Sequence, residues 1–365
     1  MTRGAGYRLG QGGSEIDRTQ RLRFQFEGES LEGFAGDTLA SALLANGVRT
    51  VARSFKLHRR RGIRAEGWED PNAFVQLIKP WDEPNLLATR TPLAEGLVAR
   101  GMHGWPTIHF DLGRVADWLH GVLPAGFYYK TFKWPVRAWP WYESLIRRAA
   151  GLGRAPQHAG GPQVERRHAQ ADVLVVGAGP AGVAAVRQLV AAGCSVIWVD
   201  DRGRPGGALG ASGEPGDAQS LQALRRDAES WESAPGLRRL ADTVLLGLHD
   251  HGQAIALQRD GWARECLWML RVKAVCLATG AFERGLPFEN NDLPGVMMAG
   301  AVRSALHRHA VAPGRQLMVA GSGASAWQAA ISAYDCGMAV TAVVTSAPSP
   351  VPGSLADAVA QRGIA

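Results

Sequence analysis

Apolar positions follow two rhythms along this chain, and each predicts a different kind of element. Near the N-terminus Leu22, Phe24 and Phe26 alternate with Arg21, Arg23, Gln25 and Glu27, the period-two pattern of a half-buried strand. Glu29 to Phe34 is its expected hairpin partner. Next, Leu39, Ala42, Leu43 and Leu44 form an apolar stripe, with Gly36-Asp37-Thr38 offering a helix cap before it and Gly47 a left-handed stop after it. Two strands and a helix in this order predict a β-grasp domain over residues 1–100.

The other rhythm begins past residue 170, where short β-branched runs end in glycine turns. Asp172-Val173-Leu174-Val175-Val176 has the unbroken apolar character of a buried parallel strand. It ends at Gly177-Ala178-Gly179-Pro180-Ala181-Gly182, a helix follows from Ala181 to Ala192, and Ser195-Val196-Ile197-Trp198-Val199 leads to Asp200. Strand, glycines, helix, strand and acid together predict a Rossmann-like dinucleotide fold. Gly177 permits the tight turn, Gly179 lets the backbone approach a pyrophosphate, and Gly182 lets the helix lie close to the strand. The helix aims its unpaired N-terminal amides at the phosphates. A carboxylate at Asp200 can accept the hydroxyl protons of an adenosine ribose and repels a 2′-phosphate, so NAD or FAD is favoured over NADP. Arg202 and Arg204 soften that exclusion.

Three further segments extend the candidate site. Arg204-Pro205-Gly206-Gly207-Ala208 puts two glycines where the chain would pass the cofactor phosphates. Asp242 to Gly247 is an expected strand beside the adenine and nominates Val244. Val272 to Leu277 is a strand ending at Ala278-Thr279-Gly280, where the chain would cross near the cofactor. A second glycine turn, Gly321-Ser322-Gly323-Ala324-Ser325-Ala326, follows the strand Gln316 to Ala320, but its second strand, Ala339 to Val344, ends in Thr345 and Ser346 where a ribose-binding acid should stand. That turn is expected to be a fold relic that does not hold NAD in the usual way. The expected divisions are thus an aromatic arm and linker over 101–170, a first dinucleotide-binding domain over 171–310 and an incomplete second over 311–365. The end at Ala365, about twenty residues past the last strand, is read as a truncated or split product whose sheet edges stay partly uncovered.

Composition narrows the partners. The formal charge of +7 is densest at Arg53, Lys56, His58, Arg59, Arg60, Arg61 and Arg64. Without a zinc pattern, RNA-binding aromatics or a basic helix repeat beside it, nucleic acid is not expected. The cluster is instead a candidate for flavin-phosphate or partner contact. Cys194, Cys266, Cys276 and Cys336 show no short spacing, so neither a disulfide framework, a metal site nor a C-x-x-C redox centre is expected. A reducing, cytoplasmic compartment fits, and no apolar run is long enough to predict export or a membrane span. The arm carries Trp105, Trp118, Phe127, Tyr128, Tyr129, Phe132, Trp134, Trp139, Trp141 and Tyr142. These are expected to pack the arm on its own domains, with a surface for a partner chain as the alternative.

Glu32-Gly33-Phe34-Ala35-Gly36-Asp37-Thr38-Leu39-Ala40-Ser41-Ala42-Leu43-Leu44-Ala45-Asn46-Gly47 and Arg53-Ser54-Phe55-Lys56-Leu57-His58-Arg59-Arg60-Arg61-Gly62 resemble the opening of the heterotetrameric sarcosine oxidase alpha subunit family. Pro124 to Phe132 and Ile146 to Gly153 carry the likeness through the arm. The resemblance implies a ferredoxin-like β-grasp domain without its iron-sulfur cluster, followed by a two-dinucleotide-binding-domain flavoprotein fold cut short at its C-terminus. Clusters in such domains are held by cysteine thiolates, and no cysteine precedes Cys194, so no Fe-S cluster is expected. The resemblance also implies NAD at the first glycine motif, FAD on a beta partner, an FMN shared with it, and small gamma and delta subunits. The implied reaction is oxidative demethylation of sarcosine to glycine with oxygen as acceptor. By residue-wise match Ala181, Asp200, Asp201, Arg202, Ala208 and Val244 would line NAD. Asp201 replaces the family's usual glutamate, and Ala208 stands where a hydroxyl residue is common.

The candidate cofactor set is therefore Gly177, Gly179, Ala181, Gly182, Asp200, Asp201, Arg202, Gly207, Ala208, Val244, Thr279 and Gly280. No catalytic residue and no metal ligand is nominated; His58, His109, His251, His307 and His309 are expected to be surface or structural. Two alternatives stay open, a stand-alone FAD/NAD(P)H-dependent oxidoreductase and an inactive fragment.

Overall fold

The N-terminal alternation is realised as β1 (Asp17–Phe26) paired antiparallel with β2 (Glu29–Ala35), which leaves Phe24 and Phe26 each only 2% exposed. The computed structural model describes residues 7–118, 134–150, 156, 160–214, 216–345 and 353–365. These form two units, one built from Met1–Gly160 with Glu283–Ala365 and the other from Gly161–Phe282.

In the first unit, helix α1 (Leu39–Ala45) follows the hairpin. Thr38 closes its N-terminus with a reciprocal capping box: its hydroxyl accepts from Ser41 N at 3.1 Å and its own N–H donates to Ser41 Oγ at 3.0 Å. Gly47, at φ +77°, provides the left-handed stop. Strands β3 (Ala52–Arg53) and β4 (Arg60–Arg61) pair as a small ribbon. Strands β5 (Phe74–Lys79), β6 (Glu83–Leu87) and β7 (Val98–Gly101) complete a five-stranded sheet of order β2-β1-β7-β5-β6, in which only β1 and β7 run parallel.

The basic cluster is turned inward. The nearly buried Arg53 donates to the carbonyls of Ile108 and His58, both at 2.7 Å, and lies 3.3 Å from Asp111, which also meets His58 Nδ1 at 2.9 Å. Arg59 donates to Asp292 at 2.9 Å, Arg61 donates to the same carboxylate, and Arg64 donates to the Asn291 carbonyl at 2.8 Å. The Arg59 hydrogen bond, aided by Arg61, holds the Asp292 pKa down to about 2. Most of the cationic heads expected to meet a flavin phosphate or a partner thus have partners within their own unit.

The arm contributes α2 (Val115–Trp118) and α3 (Trp139–Ala150). Trp105, Trp118, Trp134 and Trp141 are 66%, 88%, 83% and 67% exposed, so the expected packing on the chain's own domains does not hold for them. Phe127, Tyr128, Tyr129 and Phe132 lie outside the described residues.

The second unit contains β8 (Gln163–Val176), α4 (Pro180–Ala191), β9 (Val196–Val199), α5 (Asp217–Ser230), β10 (Leu237–Leu240), β11 (Thr243–His249), β12 (Gln253–Asp260) and β13 (Arg264–Leu277). One six-stranded sheet runs β10-β9-β8-β13-β12-β11, parallel as far as β13 and antiparallel beyond it. Leu174, Val176, Ile197 and Val199 pack on one face with Trp268, Leu270 and Val272. On the other face Val175, Val196 and Trp198 pack with Val183, Val186 and Ala228 of the helices. Each large apolar side chain so buried contributes roughly 1.5–3 kcal/mol, which accounts for the apolar run from Val173 to Val176. Strand β8 starts at Gln163, inside the stretch expected to be linker up to Gln170. There it is held by a backbone ladder, Gln163–Gln170 facing Arg264–Arg271, that needs no apolar side chains. From Lys273 to Leu277, β13 pairs only with β8 among the described residues, and Leu277 is 61% exposed.

The chain re-enters the first unit with α6 (Ala299–His307), β14 (Gln316–Ala320), α7 (Ala324–Asp335), β15 (Ala339–Val344) and α8 (Gly353–Gln361). Strands β14 and β15 are parallel, and Val319, Ala326 and Ala330 pack between strand and helix. Among the described residues no helix is long and apolar enough to cross a membrane.

Candidate dinucleotide site

Around the turn between β8 and α4, three positions admit only glycine. Gly177 has φ +109°, and a Cβ there would lie 2.2 Å from the Ala278 carbonyl oxygen. At Gly182 a Cβ would lie 1.9 Å from the Gly177 carbonyl oxygen, so helix and strand approach as closely as the sequence pattern requires. At Gly207, φ +51°, it would lie 2.7 Å from Gly179 Cα. Gly179 differs: the nearest atom to its ideal Cβ is 3.8 Å away, leaving the space a pyrophosphate would approach. Helix α4 starts at Pro180 with no side-chain cap, so Ala181 and Gly182 sit in a first turn whose amides are available to an anion.

The other nominated segments are drawn to this turn by backbone hydrogen bonds. Gly206 N donates to the Ala178 carbonyl at 2.8 Å, which seats Gly207 beside Gly179, with Ala208 next along the chain. Ala278 N donates to the Val176 carbonyl at 2.8 Å, so Thr279 and Gly280 follow directly from the contact with Gly177. Thr243 N donates to the Asp200 carbonyl at 2.7 Å, which sets Val244 next to the end of β9.

Asp200 does more than the sequence pattern says. One carboxylate oxygen accepts from Ala178 N at 2.6 Å and the other from Arg202 N at 2.9 Å, so the acid ties the glycine turn to the end of β9. Burial pushes its pKa up, against the two amide hydrogen bonds, which pull it down. Asp201 and Arg202 follow at once, both half-buried. Trp198 was not singled out from sequence, yet its indole N–H donates to the Gly177 carbonyl at 3.0 Å and fixes the turn from below. The available signal was a tryptophan within a buried β-branched strand, because a buried indole N–H needs an acceptor.

The second glycine turn is built differently. Gly321 N donates to the Val344 carbonyl at 2.9 Å, just as Gly177 N donates to the Val199 carbonyl at 2.8 Å. Gly321, however, does not take the left-handed φ of Gly177, and Ala326 stands where Gly182 stands in the first turn. Thr345 follows β15 in place of an acid, and Ser346 lies outside the described residues. Among the described residues no three His, Cys, Asp or Glu side chains are grouped to hold a metal.

A parallel sheet whose strand ends carry this glycine turn and an adjacent acid defines a dinucleotide-fold oxidoreductase domain. Residues 171–362 match the family model described as pyridine nucleotide-disulphide oxidoreductase, and the chain belongs to that family. Over most of its length it is homologous to the alpha subunits of sarcosine oxidases. It is 42% identical to that of Rhizobium meliloti (strain 1021) over 94% of this chain and 36% of the relative. To that of Corynebacterium sp. (strain P-1) it is 35% identical, over 90% of this chain and 31% of the relative. To that of Corynebacterium sp. (strain U-96) it is again 35% identical, over 84% of this chain and 29% of the relative. The chain spans about a third of the length of these relatives. Among solved structures, L-proline dehydrogenase from P. horikoshii shares the fold, with TM-score 0.59 and 20% identity over 94% of this chain and 55% of that one.

One expectation is overturned. Residues 19–103 match the 2Fe-2S iron-sulfur cluster binding domain family, so the chain carries a domain of a cluster-binding family, against the expectation of no Fe-S cluster. The thiolates that usually hold such clusters are not supplied by residues 19–103, which contain no cysteine. No cluster chemistry is therefore assigned to named residues.

Proposed function

We propose that this chain is the NAD-holding portion of an amine-oxidising flavoenzyme of the sarcosine oxidase type, on its alpha side. The observation that carries this reading is the cradle at Gly177, where three glycines admit no side chain and two carboxylates, Asp200 and Asp201, stand at the adjoining strand end. In this reading the amides at the start of α4 take the pyrophosphate, and the Asp200–Asp201 pair takes the adenosine ribose. Arg202, Gly207, Ala208, Val244, Thr279 and Gly280 line the cofactor. Bound NAD would supply a hydride acceptor. The residues of this chain bind and orient it; the oxidation of the amine, sarcosine to glycine in the first instance, takes place on flavin held with a beta partner. Trp105, Trp118, Trp134 and Trp141 of the arm are each largely exposed, which supports a partner surface there because tryptophan is enriched where protein chains meet.

Purified chain should be colourless and release NAD on denaturation, as identified by mass spectrometry and an absorbance spectrum. Yellow protein releasing FAD would instead support a self-contained reductase, and protein that neither carries nor takes up a nucleotide would overturn the reading.

A further inference from the structure

A carboxylate of this chain stands at the helix start that follows the second glycine turn. Glu283 sends one carboxylate oxygen to Gly300 N, 2.8 Å away in the first turn of α6, and accepts the Ser325 hydroxyl at 2.6 Å in the first turn of α7. Neither helix has a side-chain cap at its own N-cap, Met298 for α6 and Gly323 for α7. One carboxylate thus serves two helix starts, each the positive end of a helix dipole. The local sequence accommodates it closely: an ideal Cβ at Gly300 would lie 3.3 Å from Glu283 Oε2, so a larger residue would crowd the carboxylate. Gly323 has nothing within 4 Å of its ideal Cβ, so the backbone itself leaves room.

We infer that Glu283 is a built-in anion that closes the second glycine turn to the pyrophosphate of a nucleotide, leaving the chain one dinucleotide site rather than two. The chemistry is direct. The Ser325 hydroxyl at the start of α7 already has an anionic partner, and a pyrophosphate arriving at the free amides beside it would meet a carboxylate of like charge in a partly desolvated site. Glu283 is therefore a specificity-determining residue, and it acts independently of the missing acid after β15. This inference builds on the proposed function, which puts the single dinucleotide at Gly177.

Equilibrium dialysis of the whole chain with ADP, and separately with inorganic pyrophosphate, tests it by stoichiometry. Every protein is first freed of bound nucleotide by unfolding in urea, desalting and refolding, and the wild type so treated should take one ADP. Glu283→Ala should take a second, with pyrophosphate binding strengthened about tenfold or more. Glu283→Gln, which keeps side-chain size and an acceptor for Ser325, should fall between them and guards against misfolding of the alanine variant. Adding Ser325→Asp to Glu283→Ala returns a carboxylate to the start of α7 and should remove the gained site. Two ADP bound to wild type, or Glu283→Ala and Glu283→Gln binding no more than wild type, overturns the inference. Wild type binding none while Glu283→Ala binds one leaves the inference standing and defeats the proposed role of Gly177, so the two can fail separately.

Discussion

The two glycine turns of this chain start from one plan and end as different objects. Each begins on a parallel strand whose last residues hand over to a glycine, and in each that glycine N–H reaches the carbonyl of the neighbouring strand, Val199 in one case and Val344 in the other. At Gly177 the backbone takes a left-handed φ and Gly182 lets α4 sink onto the strand. At Gly321 the φ is ordinary, and the Ala326 Cβ lies 3.0 Å from where a Gly321 Cβ would be. At Gly177 the nearest acid, Asp200, pins the turn to the strand end, whereas at Gly321 the acid, Glu283, sits across the helix start. The difference teaches that glycine spacing alone does not make a nucleotide cradle. Close helix approach and the position of one carboxylate decide it.

The contrast breaks most sharply at the third small residue of each turn. In Gly182→Ala the new Cβ would fall 1.9 Å from a backbone oxygen that cannot rotate away, and a forced shift of that kind costs roughly 3 kcal/mol or more. Ala326→Gly in the second turn should cost only about 1 kcal/mol, the difference in helix propensity. Hydrogen exchange of Pro180–Ala191 against Ala324–Asp335 in the two variants measures both. Equal, small losses at the two sites would remove the basis for calling the first turn the tighter one.

Next in size is the acid. Asp200→Ala should weaken NAD binding by up to about 3 kcal/mol, the scale of hydrogen bonds to a charged group, or roughly 100-fold in Kd. Thr345→Ala, at the matching place after β15, should leave it unchanged. Titration calorimetry with NAD compares them. Because Asp200 also holds Ala178 N, Asp200→Asn is the sharper probe: it keeps one acceptor for the backbone and removes the charge. Unaltered affinity in both Asp200 variants would mean that the ribose is read elsewhere, with Asp201 the next candidate.

Much of this contrast was legible in the sequence, and the part that was not has a physical reason. The period-two run from Leu22 to Phe26, the continuous run from Val173 to Val176 and the two glycine turns all report local geometry, and the described elements fall where those patterns put them. The absence of an acid after Val344 was equally plain. Three things were not. Strand β8 extends back to Gln163 because its partner β13, about a hundred residues away, supplies the ladder, and no local pattern reveals a distant partner. Glu283 and Trp198 act on backbone groups remote in sequence, Gly300 N and the Gly177 carbonyl, and a lone Glu or Trp carries no spacing to announce this. The basic cluster looked like a phosphate-facing surface because charge density is visible in a sequence while the neutralising partner, Asp292, is more than two hundred residues downstream. Family membership settled a fourth point that cysteine counting had put the other way: the first domain belongs with cluster-binding domains.

A smaller effect sharpens the comparison from beneath the turn. Trp198→Phe removes the indole donor to the Gly177 carbonyl but keeps most of the ring's packing, so it should cost about 1 kcal/mol in the local stability of the first turn. Among the described residues no indole holds Gly321 in a matching way, and Trp327→Phe on α7 should not change exchange at that turn. Hydrogen exchange at Gly177–Gly179 reads the first effect, and protection identical to wild type would show that the turn keeps its shape without the indole.

The smallest expected effect is a pH dependence, and it bears on why the first turn keeps its acid. Burial raises the pKa of Asp200 above its ordinary 3.8, so ionising it is harder in the fold than in the unfolded chain. The sign follows from linkage: Asp200's contribution to stability is fully present below 3.8 and is lost as pH rises through the raised folded value. Wild type should therefore lose stability relative to Asp200→Asn over that interval, read by urea unfolding followed through the exchange of β9 amides from about pH 3 to about pH 7. NAD binding should move the other way, because the ribose hydroxyls donate to the ionised form. The first turn thus carries an acid that weakens the unliganded fold at neutral pH, an arrangement that makes sense where a ligand meets the charge. At the second turn no acid follows β15, and the anion it does have is satisfied by Gly300 and Ser325. If wild type and Asp200→Asn keep a constant stability difference across the whole range, Asp200 is not strained by burial, and the first turn loses this mark of a site built for a ligand.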